Sequence, residues 1–438
     1  MRELFYQYAD AMNETLTGDE VLLTCYDGEQ SDFVRFNRSL IRQPGSVTQR
    51  EMSLRLIDGK RHISSSISLS GQPEIDQPKL AGALDQLRED LPNVPEDPYL
   101  LYSTEIRSGE EIHDCTLPPA DEAVGAVLDA GAGRDMVGIY AGGAIEAGFA
   151  NSLGQKNWFS RPSFNTDWCF YHQKDKAVKA SYAGFAWDDS LFARKVETAR
   201  GQLDVLGLDP KTIDPGEYRV FLAPAAVREV MQMLCWGGFG LKDHRTKNTP
   251  LLKMIADSAT LADSVTIREN TADGLSPRFS SRGFAKVDCV TLIENGQYRH
   301  CLVSPRSAAE YDVPTTGGGE GPESLEVIGG QLGADDVLAA LDTGAYVNTL
   351  WYLNYSDRPA GRMTGMTRFA TFWVENGKIV SPLNVMRFDE TIYRMLGENL
   401  IDLTSDREFL PDNDTYFARS TDSMNLPGAL IDNFRLTL

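Results

Sequence analysis

The stretch Ala370-Thr371-Phe372-Trp373-Val374-Glu375-Asn376-Gly377-Lys378-Ile379-Val380 reads as two strands joined by a two-residue turn. Asn-Gly suits a type I′ turn because both central residues take positive φ. Upstream, Cys289-Val290-Thr291-Leu292-Ile293-Glu294-Asn295-Gly296 turns into Gln297-Tyr298-Arg299-His300-Cys301-Leu302-Val303 with the same signature. That turn register opposes Ile293 to Tyr298 and Thr291 to His300. Little else repeats, so the recurrence reads as a shared turn solution rather than a duplication. The chain's last segment, Ala429-Leu430-Ile431-Asp432-Asn433-Phe434-Arg435-Leu436, alternates like a closing strand. From residue 216 onward the pattern is mainly β, with a strand at 218–222 and a helix near the start. The helix, 224–236, has apolar residues at 227, 230, 231, 234 and 235, the stripe of an element packed on a core.

Outward from this domain the pattern is mixed. A helix carries Leu4, Tyr8 and Met12. Strands are expected at 21–26, closed by a turn at Asp27-Gly28, and at 33–36, 52–57 and 62–69. A helix over 78–91 places Leu80, Leu84 and Leu87 on one face, and the Pro- and acid-rich stretch 92–98 is a connector. Next come a helix at 121–130, strands at 136–140, 144–150, 168–172 and 178–186, and a helix at 188–206. The expected fold class is α+β: small N-terminal α/β units followed by a large, mainly antiparallel β domain. The expected divisions are 1–103, 104–215 and 216–438.

Length and charge narrow the functional classes. The 438 residues hold 42 Lys and Arg against 63 Asp and Glu, a net charge of −21. That balance argues against nucleic acid or an anionic membrane as main partner, since both would be repelled. Cysteines stand at 25, 115, 169, 235, 289 and 301, with no CxxC pair, and read as reduced, mostly buried thiols. The start, Met1-Arg2-Glu3-Leu4-Phe5-Tyr6-Gln7, lacks a signal peptide's apolar core, and no apolar run approaches a membrane span. A soluble, cytoplasmic protein is expected.

Catalytic motifs are scarce. The histidines, at 62, 113, 172, 244 and 300, never fall within helical reach of one another, so no HExxH helix exists. His62 and His300 read as structural or surface residues, and His244, in Lys242-Asp243-His244-Arg245, as solvated. There is no GxSxG elbow and no P-loop. Gly317-Gly318-Gly319-Glu320-Gly321 does not link a strand to a helix and reads as a flexible loop.

An ordered series of short segments carries a resemblance. It runs Thr291-Leu292-Ile293-Glu294-Asn295-Gly296, Pro314-Thr315-Thr316-Gly317, Gly344-Ala345-Tyr346-Val347-Asn348-Thr349-Leu350, then Phe372-Trp373-Val374-Glu375-Asn376-Gly377-Lys378-Ile379 and Ser381-Pro382-Leu383. Together these resemble the C-terminal domain of the TldD/PmbA family. The stretch 388–403, with Met395-Leu396-Gly397-Glu398-Asn399, fits the helix that follows there. Phe149-Ala150-Asn151-Ser152-Leu153-Gly154 is similar to the Asn-Ser-x-Gly signature of the family's second domain.

The resemblance implies paired subunits forming a zinc-dependent peptidase. One subunit type carries the metal on a helix reading His-Glu-x-x-x-His, with a further Cys ligand near the chain end. Here the corresponding helix reads Arg228-Glu229-Val230-Met231-Gln232-Met233. Arg228 and Met233 stand at the two His positions, and no cysteine follows Cys301. A permanent cation repels Zn²⁺, and a thioether is a poor ligand beside imidazole or thiolate. Glu229 is a remnant of the metal helix or a surface carboxylate near a helix N-terminus. Met231 and Met233 read as core or interface fillers.

This chain therefore looks like the metal-free TldE/PmbA type, without metal or cofactor of its own. Zinc is expected only in a TldD-like, metal-bearing partner, and the implied substrate is an extended unfolded or precursor peptide. Two other readings stay open. One is a stand-alone peptide-binding homodimer, suggested by divergence around Cys235-Trp236-Gly237-Gly238-Phe239-Gly240. The other is a hydrolase with an unrecognised site, for which Cys169 and Cys235 are the thiols to test.

Overall fold

Strand pairing gathers the chain into two sheets. The computed structural model describes residues 1–114, 117–172 and 176–438; Cys115 lies outside the described residues. The first sheet holds β1 (Val21–Asn37), β2 (Leu40–Asp58), β3 (Arg61–Ser68), β4 (Gly109–Ile112), β5 (Asp135–Asn151), β6 (Lys156–Tyr171) and β7 (Ala177–Gly184). Their order is β3-β2-β1-β5-β6-β4, with β7 also paired to β6. Strands from 1–103 and from 104–215 share this sheet, because β1 pairs with β5 from Leu23↔Asn151 to Phe36↔Gly138. Helices α1 (Arg2–Asn13) and α2 (Pro73–Asp90) bury Phe5, Tyr8, Leu80 and Leu84 against Leu22, Met52 and Leu54. Helices α3 (Ala120–Gly131) and α4 (Asp189–Leu206) pack over the other end of the sheet, around Tyr140, Trp168 and Phe170.

Two expected breaks are absent. No turn interrupts β1 at Asp27-Gly28; Asp27 pairs with Glu51 on one side and Ala147 on the other. The space a side chain would need at Gly28 is taken by the Tyr26 ring, whose hydroxyl stands 2.5 Å from an ideal Cβ there. This glycine therefore makes room for a strand neighbour. Likewise 136–140 and 144–150 are one strand, β5, laddered on both edges. The Asn-Ser-x-Gly segment forms the β5–β6 turn. Asn151 Oδ1 accepts from the amides of Leu153 and Gln155, and Gly154 takes φ +104°.

The second sheet has eleven strands. They are β8 (Gly216–Leu222), β9 (Ile267–Glu269), β10 (Val290–Glu294), β11 (Gln297–Tyr298), β12 (Ser324–Val327), β13 (Gly344–Asp357), β14 (Arg362–Glu375), β15 (Lys378–Pro382), β16 (Arg387–Thr391), β17 (Leu400–Pro411) and β18 (Ser423–Leu436). Strand β8 runs parallel to β13 and antiparallel to β18, so β18-β16-β14-β13-β8 closes on itself. Helix α5 (Pro224–Cys235) packs into the core that this sheet lines. The architecture is the expected α+β class.

Both Asn-Gly turns take positive φ at both residues, 48° and 72° at Asn295-Gly296 and 51° and 72° at Asn376-Gly377. Ile293 opposes Tyr298 as the turn dictates. Thr291 does not oppose His300, because the amides of Arg299 and His300 both point at the Leu292 carbonyl and the ladder ends. The stretch 388–403 is not one helix. It alternates buried Phe388 and Glu390 in β16, makes one π-helical turn at Arg394–Glu398, and re-enters a sheet as β17. His244 is buried, not solvated. It sits in α6 (Leu241–Arg245), its Nε2 2.6 Å from the Gly238 carbonyl and its Nδ1 3.3 Å from the Tyr298 hydroxyl. The carbonyl requires a donor at Nε2, so Nδ1 accepts from Tyr298. Among the described residues no helix is long and apolar enough to cross a membrane.

Candidate functional site

Helix α5 starts abruptly because β8 ends at Leu222 and Pro224 occupies the first helical position, where its missing N–H costs nothing. Val227, Val230, Met231 and Leu234 face the core. The opposite face carries Arg228 and Glu229 into a cavity of about 400 Å³ between the two sheets. Asp167 and Lys179 enter it from the first sheet, Lys195 from α4, and Asn413 from the segment after β17. A second cavity of about 750 Å³ adjoins it and shares Lys195, Pro224, Tyr346 and Glu408. Its other walls are largely apolar, with Phe221, Val337, Ile379 and Phe409. The two make a groove with a charged end and an apolar end, spanned by the Lys195–Glu408 ion pair.

Arg228 is held in place from the chain's distant end. Its guanidinium lies 3.4 Å from Asn413 Oδ1 and 3.7 Å from Asp412. The Asn413 amide in turn donates to Asp167 at 3.1 Å. Burial pushes the Asp167 carboxyl upward, against the pull of Lys179, Asn413 and Arg228. Burial also raises Glu229, against Arg228 and Lys179. Glu229, expected as a metal-helix remnant or a surface carboxylate near a helix N-terminus, is half-buried. It stands in the second turn and lines the cavity. Two raised carboxyls beside two cations give the cavity the donors and acceptors to orient polar groups.

Met233 points elsewhere. Five residues beyond Arg228 it is rotated about 140° on an ideal helix. It packs against the core, and its carbonyl accepts from the Tyr355 hydroxyl. The zinc that the family resemblance implies does not fit these residues. A guanidinium already tied to Asp412 and Asn413 occupies one ligand position, and a thioether turned to the core occupies the other. Among the described residues no group of three or more His, Cys, Asp and Glu side chains is arranged to hold a metal ion. Neither of the two thiols singled out from the sequence is activated. Burial pushes Cys169 and Cys235 upward, whereas a reactive thiol needs a lowered pKa.

The family model for the PmbA/TldA metallopeptidase C-terminal domain matches residues 215–438, just over half the chain. The chain belongs to the TldD/PmbA family. No curated protein matches it. Among solved structures, it is similar to TldE from Thermococcus kodakarensis, at 15% identity and TM-score 0.77, covering 100% of this chain and 99% of that one. A putative modulator of a DNA gyrase from Thermotoga maritima aligns at 14% identity and TM-score 0.76, covering 100% of both chains. A putative modulator of DNA gyrase from Bacteroides thetaiotaomicron aligns at 15% identity and TM-score 0.77, over 99% and 98%. At these identities the likeness is one of fold, and it extends the TldD/PmbA-family architecture over the whole chain.

Sequence reasoning found Arg228, Glu229 and Met233 but missed Asp167, Lys179, Asp412 and Asn413. Lys179 had a weak signal, as the one charged residue of its strand, and Asp167 had none among the several polar residues of β6. The last two had none, because they lie in an irregular segment that only the fold brings to α5.

Proposed function

We propose that this chain is the non-catalytic, TldE-like subunit of a cytoplasmic peptide-processing metallopeptidase, working with a TldD-like chain that carries the zinc. One observation carries the reading: Arg228, at the first metal-ligand position, is engaged by Asp412 and Asn413, so the degenerate helix serves a rebuilt polar network. The groove along α5 suits an extended peptide, with charged groups at one end and apolar walls at the other. Family membership and the whole-length likeness to a TldE support the same reading.

The test is metal analysis of the purified chain before and after zinc addition and dialysis, with cleavage of an unfolded casein-like substrate in parallel. The chain alone is expected to hold no stoichiometric zinc and to cleave nothing, and a TldD-like chain is expected to bind it and supply chelator-sensitive cleavage. Zinc near one per lone chain, with chelator-sensitive cleavage, would overturn the proposal. Self-association with no binding to a TldD-like chain would favour the homodimer.

A further inference from the structure

The longest strand of the first sheet, β2, is paired along both edges for only part of its length. Strand β3 covers it from Glu51 to Asp58, and the Leu69 amide adds one bond to the Arg50 carbonyl. Among the described residues, 40–49 have β1 as their only partner strand, with a bulge at Arg42, and all of them but Val47 are exposed. The Arg50 carbonyl points to the β3 side, and backbone direction alternates along a strand. The carbonyls of Pro44, Ser46 and Thr48 and the amides of Ser46 and Thr48 therefore lie on the open edge. Pro44 agrees with this, since a strand tolerates proline where its nitrogen owes no ladder bond.

This edge lacks the usual guards. Lone edges are ordinarily short, covered or twisted away. Here the open stretch lies beside exposed Leu40 and Ile41 and near Tyr416 and Phe417, which at 82% and 84% exposure are the barest large apolar side chains among the described residues. The two rings meet edge to face at 4.7 Å. Gln49 Nε2 donates to the Phe417 carbonyl at 2.8 Å, and the Arg419 amide donates to Glu29 at 3.1 Å. The segment 415–418 is thus pinned across one face of the β1–β2 hairpin. Between segment and hairpin lies a cavity of about 330 Å³, walled by Phe33, Arg35, Val47, Ile139 and Tyr416.

The hairpin is also basic in an acidic chain. From Phe33 to Arg50 there are arginines at 35, 38, 42 and 50 and no Asp or Glu, against a net charge of −21 overall. Among the described residues Arg35, Arg38 and Arg42 form no ion pair and no side-chain hydrogen bond. Glu29, the one carboxylate lining that cavity, is buried and accepts from the Arg419 amide. Asp135 shares a shallow cavity with Arg38 and does not pair with it. Unpaired cations around an open strand edge attract an acidic segment and repel a basic one.

We infer that the outer edge of β2 over 44–48 is a docking site for an extended acidic segment of another polypeptide, which adds to the first sheet as a further strand. Main-chain bonds to Pro44, Ser46 and Thr48 hold it, its carboxylates meet Arg35, Arg38 and Arg42, and its apolar side chains lie against Tyr416 and Phe417. Pairing of this edge with its own copy is opposed by charge, since both strands would bring arginines and no carboxylate. None of these residues lines the α5 groove, so the inference stands apart from the subunit reading.

The experiment is fluorescence anisotropy of the full chain with fluorescein-labelled probes. These are the blocked peptide Thr-Glu-Val-Asp-Thr-Glu-Val, the same peptide with Lys at every acidic position, and the acidic peptide N-methylated throughout. The acidic peptide is expected to bind saturably, and more weakly as salt rises. The Lys peptide is expected not to bind. N-methylation removes the strand's donors and keeps its charge, and should weaken binding about tenfold or more. Arg42→Glu should weaken binding of the acidic peptide about fivefold or more. Phe417→Ser should weaken it too and keep the urea midpoint, because the ring is bare in the free protein. Lys378→Glu, exposed on the second sheet, should bind as the parent does. The inference is overturned if the acidic peptide does not bind, if the Lys or N-methylated peptide binds as tightly, or if Arg42→Glu and Phe417→Ser both bind as the parent does. It is equally overturned if light scattering shows self-association that Arg42→Glu abolishes, since the edge then serves a second copy.

Discussion

Arg419, from the segment between β17 and β18, drives its guanidinium beside Ser163 of β6 and donates to the Ser163 hydroxyl at 2.6 Å and its carbonyl at 2.8 Å. It also reaches Ser31 Oγ at 3.2 Å and the Gly143 carbonyl at 3.1 Å, while its own amide donates to Glu29 at 3.1 Å. The last strands of the chain are thereby fastened to the first sheet, and the same segment delivers Asp412 and Asn413 to Arg228. The clamp and the groove are parts of one excursion of the chain.

Removing that clamp should be costly. Arg419→Ala leaves the Ser163 and Gly143 carbonyls and the Ser31 and Ser163 hydroxyls without their charged donor, a change of roughly 3 kcal/mol. The urea midpoint of Arg419→Ala should fall accordingly. Arg419→Lys should recover little, because an ammonium cannot reproduce the planar fork that meets two oxygens of Ser163 and Gly143 together. Full stability in Arg419→Lys would show that charge alone holds the segment.

Restoring histidines should not restore the metal. In Arg228→His with Met233→His, one imidazole enters the cavity and the other faces the core, so the two cannot meet on one ion. Metal analysis after zinc exposure and dialysis should give well under one zinc per chain. Stoichiometric binding would mean that α5 unwinds or kinks between the two positions.

Stability should depend on pH through Glu269. Burial raises this carboxyl from 4.5 to about 7, against the pull of the Ser324 and Glu323 amides it accepts from. The folded chain thus holds the proton more tightly than the unfolded chain, which releases it near 4.5. Stability is highest below that value and falls as pH rises toward about 7, by on the order of 3 kcal/mol from this group. Glu269→Gln should flatten that part of the profile in urea titrations between pH 4.5 and 7.5. An unchanged slope would place the titration elsewhere.

Thiol labelling should separate Cys289 from the rest. Among the five described thiols it alone is exposed; burial raises all five, Cys25 up to about 12, so access rather than pKa sets the order. Mass mapping with a neutral thiol reagent should find Cys289 modified first in the native protein and the other four only on unfolding. Rapid native labelling of Cys169 or Cys235 would revive a thiol-based site.

Local chemistry made several features legible. The Asn-Gly turns depend only on two residues that tolerate positive φ, and both formed as expected. The helices expected from apolar spacing around Leu4, Tyr8 and Met12, over 78–91 and over 224–236 form at 2–13, 73–90 and 224–235. The same reasoning misplaced a turn at Asp27-Gly28, because a glycine that admits Tyr26's ring looks, in sequence, like one that bends the chain. It misread 388–403 because buried Phe388 and Glu390 at period two lie beside the apolar turn Met395-Leu396, and the mixture imitates a helix.

The amino-acid sequence by itself determined the α+β class, the family resemblance, and the substitution of Arg228 and Met233 for metal ligands, since each rests on residue type and short-range spacing. Only the tertiary structure decided that the first two expected units share one sheet, that Glu229 faces a groove, and that Asp167, Asn413 and Asp412 surround Arg228. These relationships join residues up to 246 positions apart. Strand order and a buried arginine clamp bring such residues together, and neither leaves a pattern that a local reading of the chain can see.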